Sequence, residues 1–136
     1  MKYLLDTNVC IDAMRGRVEV VGKLASLSPD DCAISTVSVF ELEAGARKSR
    51  KPEQELRKVR RLVEALVVCS WDRDAAKEAA RIRVSLESTG SKIGAYDTLL
   101  AGHAKALDMI LVSDNVGEFS RVKGMGLENW RIPNPG

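Results

Sequence analysis

Four acidic residues, far apart in the chain, have the chemical type and local setting of a metal-binding site. Asp6 and Asp114 each end a short apolar run, and Glu41 and Asp97 lie near the starts of two segments with helical periodicity. Carboxylates that are brought together repel one another unless a cation neutralises them. An all-oxygen ligand set suits Mg²⁺ or Mn²⁺ and suits Zn²⁺ poorly. These residues therefore predict a divalent-cation site, provided that the fold brings them together.

Each acid also has a purely structural interpretation, which the residues leave open. Asp6 and Asp114 could be N-caps, and Asp97 could be a first-turn acid favoured by the helix dipole. Residues 38–41 match the capping-box pattern, so Glu41 could bond back to the start of its own helix. Helix capping does not explain why several elements would all carry an acid at one edge of the fold.

The elements that must position these acids alternate between short apolar runs and segments of helical period. Buried strands are expected at residues 2–5, 32–35, 66–69 and 109–112. Helical periodicity covers residues 37–44, 56–66, 75–86 and 95–107. Asp72 is the expected N-cap of the third helical segment and Gly90 its stop signal. Residues 127–130 are expected to add an edge strand that ends before Pro133 and Pro135.

Strands separated by helices predict parallel pairing through right-handed crossovers. We therefore expect a single domain over residues 1–136, built as a three-layer α/β/α sandwich with a central parallel sheet. Ligands of such sheets bind at the carboxyl ends of the strands, where the acids are expected.

Composition excludes several classes of protein. The chain has 136 residues and a net charge of +2, which fits one domain and gives no indication of a partner. No apolar run of 18 residues predicts a membrane span, and Asp6 comes too early for a signal peptide. The three cysteines have no C-x-x-C spacing and are expected to be buried thiols in a reducing cytoplasm. The single histidine, His103, excludes the histidine-pair chemistry typical of metal-free ribonucleases.

Four motifs, in this order and spacing, resemble those of PIN-domain ribonucleases. They read LLDTN at 4–8, TVSVFELEAG at 36–45, IGAYDTLLA at 93–101 and VSDNVGEF at 112–119. More closely, the chain resembles the VapC toxins of bacterial type II toxin–antitoxin pairs, nearly from end to end.

The resemblance implies a sheet with strand order 3-2-1-4-5 and an RNA endonuclease activity that depends on Mg²⁺ or Mn²⁺. It also implies a homodimer, a small VapB-like antitoxin and a possible higher toxin–antitoxin assembly. The substrate implied by the similar proteins is transfer RNA, including the anticodon loop of the initiator.

Carried over residue by residue, the resemblance places Asp6, Glu41 and Asp97 at the three acidic positions of the family. Asp6 and Asp97 would hold the metal directly. Asp114, Asn115 and Glu118 all compete for the fourth position. Asp114 best fits the end of a strand, and Glu118 lies one turn later. Possible polar contacts to phosphate or to the acids are Thr7, Asn8, Ser113 and Asn115.

The near-neutral total charge conceals a strongly basic stretch. Residues 47–61 carry a formal charge of +6, so the rest of the chain carries −4. A solvated helix face would explain such a run, but beside a set of nuclease motifs we favour RNA binding. The residues expected to contact phosphates are Arg47, Lys48, Arg57, Lys58, Arg60 and Arg61.

Three other functions remain as alternatives. An Asp-nucleophile phosphohydrolase usually needs D-x-D after the first strand, and the second position here is Asn8. A signal-receiver domain needs an acceptor aspartate at the end of the third strand, where this chain has Cys69-Ser70-Trp71. A non-catalytic binding module on the same fold would not need the complete set of acids.

Overall fold

Five short strands form an all-parallel sheet in the computed structural model, which describes residues 2–132. Residues 1 and 133–136, with Pro133 and Pro135 among them, lie outside the described part of the predicted domain. The strands, in chain order, are β1 (Tyr3–Leu5), β2 (Cys32–Ser35), β3 (Val67–Cys69), β4 (Ile110–Val112) and β5 (Leu127–Glu128). Their order in the sheet is β3-β2-β1-β4-β5, which confirms the predicted α/β class and strand order.

The strand register aligns the residues that follow the central strands. Leu5 at the end of β1 is paired with Ile34 on β2 and with Val112 on β4. The next residue on each strand, Asp6, Ser35 or Ser113, therefore reaches the same carboxyl edge of the sheet.

Helices cover both faces of the sheet. They are α1 (Thr7–Met14), α2 (Val18–Ser26), α3 (Thr36–Lys48), α4 (Pro52–Ala65), α5 (Arg73–Ser88), α6 (Ala95–Leu107) and the short α7 (Val116–Phe119), with a 3₁₀ turn at Pro29–Asp31. None of these helices is long and apolar enough to cross a membrane.

Successive strand residues point into two separate hydrophobic cores, as strand geometry requires. Leu5 and Ile34 pack with residues of α1 to α4 such as Val9 and Val59. Leu4 and Ala33 pack on the opposite face, with residues of α5 and α6. The molecule therefore has the three layers that the sequence predicts.

Local signals predicted several boundaries correctly. Helix α6 has the predicted bounds. Asp72 caps α5 by accepting a hydrogen bond from Ala75 N at 3.0 Å, and Gly90 follows the end of α5 with a φ of +66°. His103 is packed rather than exposed, with Nδ1 2.9 Å from Ser35 Oγ.

Other predictions were wrong in detail. Strand β3 is not buried, because it lies at the sheet edge and Val68 is 45% exposed. Cys69 on the same strand is half-buried, whereas Cys10 and Cys32 are buried as expected. The strands β1, β3 and β4 begin one residue later than predicted, and β5 ends at Glu128. Helices α1 and α2 were not predicted, because α1 is short and carries a buried aspartate on its apolar side.

Candidate active site

Asp6 is buried at the carboxyl end of the central strand, with only 4% of its surface exposed. It caps α1, since its Oδ1 accepts a hydrogen bond from Val9 N at 2.8 Å. Its Oδ2 accepts a second, short hydrogen bond from the Ser113 hydroxyl. Burial raises the pKa of Asp6 to about 6, although both hydrogen bonds act to lower it. Capping and participation in an acidic site therefore coexist at this residue.

Glu41 projects from α3 toward the residue that follows Asp6. The N-cap of α3 is Ser35, whose hydroxyl accepts a hydrogen bond from Val37 N at 3.1 Å. Ser38 is therefore inside the helix, and the capping-box interpretation of Glu41 is wrong. Instead, Thr7 Oγ1 donates to Glu41 Oε1 at 2.7 Å and lies 3.0 Å from Ser38 Oγ. Thr7 thus joins Glu41 to the start of α1.

Asp97 and Glu118 form the other half of the acid cluster. Asn115 Nδ2 donates to Asp97 Oδ2 at 3.1 Å and to Glu118 Oε2 at 2.7 Å. Gly94 N, just before α6, donates to Glu118 Oε1 at 3.3 Å. Burial, followed by the neighbouring Glu118 carboxylate, raises the pKa of Asp97 to about 7. Hydrogen bonds from Asp97 and Asn115 lower the pKa of Glu118.

Asp114 is held by an arginine from the last part of the described chain. Arg131 Nη1 donates to Asp114 Oδ2 at 2.8 Å. The same guanidinium forms a two-point contact with Asp12 on α1, through Nε at 2.7 Å and Nη2 at 3.0 Å. Asp114 Oδ1 is buried and has no hydrogen-bond partner among residues 2–132. Of the three candidates for the fourth position, Asn115 and Glu118 contact Asp97, whereas Asp114 pairs with Arg131.

Sequence reasoning missed Asp12 and Arg131. Asp12 interrupts the apolar side of α1 and is only 6% exposed, and a buried carboxylate needs a partner. That interruption was the available signal for Asp12. No local sequence pattern identifies Arg131, which lies 119 residues from Asp12 in the chain.

Three of the four predicted polar residues contact the acids. Thr7 bonds to Glu41, Ser113 to Asp6, and Asn115 to both Asp97 and Glu118. Asn8 is exposed, and its side chain makes no hydrogen bond to an acid within the described residues. Ser113 Oγ also accepts from Asn115 N at 3.0 Å, so the two strand-end residues are mutually oriented.

The predicted basic residues lie on a separate helical hairpin. Arg47 and Lys48 occupy the last turn of α3, where Arg47 pairs with Glu43 at 3.9 Å. The other four lie on α4, and Lys58 pairs there with Glu55 at 3.1 Å. In the part of the chain that the structure describes, none of the six forms a hydrogen bond or ion pair with the acid cluster.

Two exposed aromatic rings flank the acids. Phe40 precedes Glu41, Tyr96 precedes Asp97, and the two rings lie 6.1 Å apart between their centroids. Phe40 is 57% exposed and Tyr96 is 46% exposed. An apolar surface therefore borders the site.

The donor chemistry of the cluster fits a hard divalent cation. The candidate ligands are carboxylate oxygens, and burial, together with neighbouring carboxylates, raises the pKa values of Asp6 and Asp97. Within residues 2–132, no three acidic, histidine or cysteine side chains are already close enough together to hold an ion. Glu41 and Glu118 are half-buried side chains on helices. Glu41 accepts a hydrogen bond from Thr7, and Glu118 accepts hydrogen bonds from Asn115 and from Gly94 N.

Comparison with known proteins identifies similar chains over nearly the full length. The PIN domain family model matches residues 3–125. The "tRNA(fMet)-specific endonuclease VapC" of Salmonella typhimurium is 35% identical over 130 residues, covering 96% of this chain and 98% of that protein. "Ribonuclease VapC2" of Haemophilus influenzae is 33% identical over 131 residues, with the same coverage.

Solved structures are similar over the same extent. The DNA-bound VapBC structure from Salmonella typhimurium contains a chain that superposes with a TM-score of 0.91 at 34% identity, covering 96% of this chain and 98% of that one. The VapBC2 structure from Rickettsia felis, bound to a fragment of promoter DNA, gives a TM-score of 0.90 at 32% identity, with 96% and 99% coverage.

Proposed function

Because the chain belongs to the PIN domain family, and within it to the VapC ribonucleases, we propose that it cleaves RNA with a divalent cation, Mg²⁺ or Mn²⁺, held by its acid cluster. The observation that carries this proposal is that Asp6, Glu41, Asp97 and Glu118 all lie at the carboxyl edge of the sheet, where Thr7, next to Asp6, donates to Glu41 and Asn115 donates to both Asp97 and Glu118. These residues come from four different elements. Asp6 caps α1, and Asp97 and Glu118 lie in the first turns of α6 and α7, but these local roles do not account for Glu41.

In this proposal Asp6 and Asp97 hold the cation, and Glu41 and Glu118 complete the site directly or through water. When bound, the cation lowers the pKa of a water molecule and stabilises negative charge on the attacked phosphate. The chain supplies the orientation of the acids. Ser113 fixes Asp6, Thr7 fixes Glu41, and Asn115 holds Asp97 and Glu118 side by side.

Asp114 has a secondary position in the proposal. Arg131 holds one of its oxygens, so only Oδ1 is left to accept a hydrogen bond from a water molecule in the site. We therefore rank Glu118 ahead of Asp114 as the fourth acid, which reverses the order that strand geometry alone suggested.

The test compares RNA cleavage by the wild-type chain and by Asp6→Asn and Asp97→Asn, with Mg²⁺, with Mn²⁺ and with EDTA. Each variant keeps the shape of the side chain and removes one negative charge, so we expect cleavage to fall at least 100-fold (about 2.7 kcal/mol of transition-state stabilisation). EDTA should have the same effect on the wild type. Asp72→Asn is the matched control, because Asp72 is an exposed aspartate that also caps a helix. Full cleavage by Asp6→Asn would contradict the proposal.

We extend the proposal to substrate and partners on the basis of the relatives. The Salmonella protein is named for cleavage of tRNA(fMet), and we propose transfer RNA as the substrate here, with the initiator anticodon loop as its first candidate. Its cognate partner would be a VapB-like antitoxin, and the complex could assemble further. We place this toxin–antitoxin pair in the cytoplasm, where its RNA substrate is. Sequencing of RNA ends after induction of wild type and Asp6→Asn identifies the substrate, since its cut ends should appear only with the wild type.

We also propose that the chain is a homodimer. The exposed pair Phe40 and Tyr96 supports this, because a second copy would cover apolar surface that water otherwise contacts. Sedimentation of the wild type should give a dimer, and Phe40→Ser should shift it toward monomer.

The hairpin of α3 and α4 is the proposed contact for RNA phosphates. If its cations neutralise about three to five phosphates, log affinity should fall with log salt at a slope of roughly −2 to −3.5. Removing Arg57 and Arg60 together should make that slope shallower. An unchanged slope would indicate that this surface serves solubility or the antitoxin.

A further inference from the structure

A second basic surface lies near Glu118, on helices that pack on the opposite face of the sheet from α4. Helices α5 and α6 and the segment after α7 border an open cavity of about 300 Å³. Four cationic side chains line it, and Glu78 is the acid among its lining residues. The four cations are Arg81, Lys105, Arg121 and Lys123.

Among the described residues, three of these cations form no close ion pair, although Arg121 interacts electrostatically with Glu118 and lowers its pKa. Arg81 pairs with Glu78 at 2.7 Å. Lys105 Nζ donates to the backbone oxygen of Lys123 at 3.1 Å, and Arg121 Nη1 donates to that of Lys92 at 3.2 Å. Along residues 2–132, no acid lies within 4 Å of the charged groups of Lys105, Arg121 or Lys123. The cavity therefore carries an excess of positive charge, which favours an anionic ligand.

Short contacts connect the cavity to the acid cluster. Arg121 follows Glu118 by one turn, and its backbone N donates to Glu118 O at 3.1 Å. Its guanidinium contacts the backbone of Lys92, two residues before Gly94, whose N donates to Glu118 Oε1. When one phosphate of an RNA chain lies at the acid cluster, the next part of that RNA on the side of Glu118 therefore lies beside this cavity.

We infer that this cavity binds backbone phosphates of the RNA strand beside the cleavage site. The inference rests on the proposed ribonuclease function and adds to it a surface that the basic stretch at 47–61 did not indicate. Lysine and arginine contacts to phosphates supply affinity and position the strand without reading its bases. The surface therefore determines how tightly RNA is held and not which bases are selected.

The experiment measures binding without cleavage. Anisotropy of a labelled oligouridine is titrated with the full chain in EDTA, at several salt concentrations. The variant Lys105→Gln/Lys123→Gln removes two phosphate contacts, so we expect about 25-fold weaker binding at 0.1 M salt and a slope shallower by about 1.4. In Mg²⁺ the same variant should raise KM and leave kcat unchanged, because the lost contacts are made equally in the ground and transition states.

Two control variants make the result specific. Arg17→Gln/Lys23→Gln removes the same charge from the region of α2 and should bind like the wild type. Lys105→Arg/Lys123→Arg keeps the charge and should restore binding. A thermal melt of each variant checks that it is folded.

Three outcomes would overturn the inference. The cavity variant could bind like the wild type, or the α2 control could lose as much affinity. Alternatively, the cavity variant could keep RNA affinity but lose antitoxin binding, which would assign the surface to an acidic peptide. If the wild type itself neither binds nor cleaves RNA, the proposed ribonuclease function is wrong, and this inference fails with it. The three outcomes above reject the inference alone.

Discussion

Replacing Asp6 by Asn should make the protein more stable while it removes activity. The pKa of Asp6 rises from 3.8 to about 6 because the side chain is buried, so the ionised form is disfavoured in the folded state. A difference of about 2 pKa units corresponds to about 3 kcal/mol at neutral pH, which is an upper limit for the gain. We expect a gain of about 1 to 3 kcal/mol, because Asn can still accept from Val9 N but must reorganise its bond to Ser113.

The sign of the pH dependence follows from linkage. Between pH 4 and 6 the folded wild type binds a proton at Asp6 more tightly than the unfolded chain does. The contribution of this group to stability is therefore complete below pH 4 and is lost as the pH rises through 6. The advantage of Asp6→Asn over the wild type should be near zero at pH 4 and should reach its full value at pH 7.5.

The assay is urea unfolding of both proteins in EDTA across this pH range, repeated with Mg²⁺. An ion bound only by the folded state stabilises it, so Mg²⁺ should raise the stability of the wild type and not that of the variant. Asp72→Asn should stay within about 0.5 kcal/mol of the wild type under every condition, since Asn caps as well as Asp. A loss of stability in Asp6→Asn at pH 7.5 in EDTA would refute the reasoning.

Other substitutions test the remaining parts of the site and fold. Glu118→Gln should reduce RNA cleavage more than Asp114→Asn does, because only Glu118 contacts Asp97; equal loss in a cleavage assay would count against our ranking. Arg131→Met should destabilise the protein by about 1 to 3 kcal/mol in urea unfolding, because it leaves the buried Asp12 carboxylate unpaired while the arginine itself is partly exposed. The double variant Arg131→Met/Asp12→Asn should recover much of the stability that Arg131→Met loses. If the losses of the two single variants simply add in the double variant, the pairing of Asp12 with Arg131 is contradicted. Gly102→Ala should cost about 1 to 3 kcal/mol in the same assay, since its Cβ would lie 2.5 Å from a backbone nitrogen of α5; a wild-type midpoint would refute that close helix contact.

The features that the sequence predicted well depend on neighbours in the chain. Helix α6 and the cap at Asp72 follow from residues three or four positions apart, which the chain itself specifies. The alternation of apolar runs and helical segments was enough to predict parallel strands. The acids at strand ends and helix starts followed from the same alternation, because such ends meet at one edge of the sheet.

What the sequence alone determined is therefore the fold class, the strand positions and the set of acids available for chemistry. The tertiary structure decided which of those acids meet. Strand geometry favoured Asp114 over Glu118 for the fourth position, but Arg131 holds Asp114 while Asn115 places Glu118 beside Asp97. Tertiary packing also decided three other features. They are the exposure of β3, the contact of Glu41 with Thr7, and the basic cavity beside Glu118. Side chains that are distant in the chain come within hydrogen-bond range only after the layers pack, and no local periodicity encodes those distances.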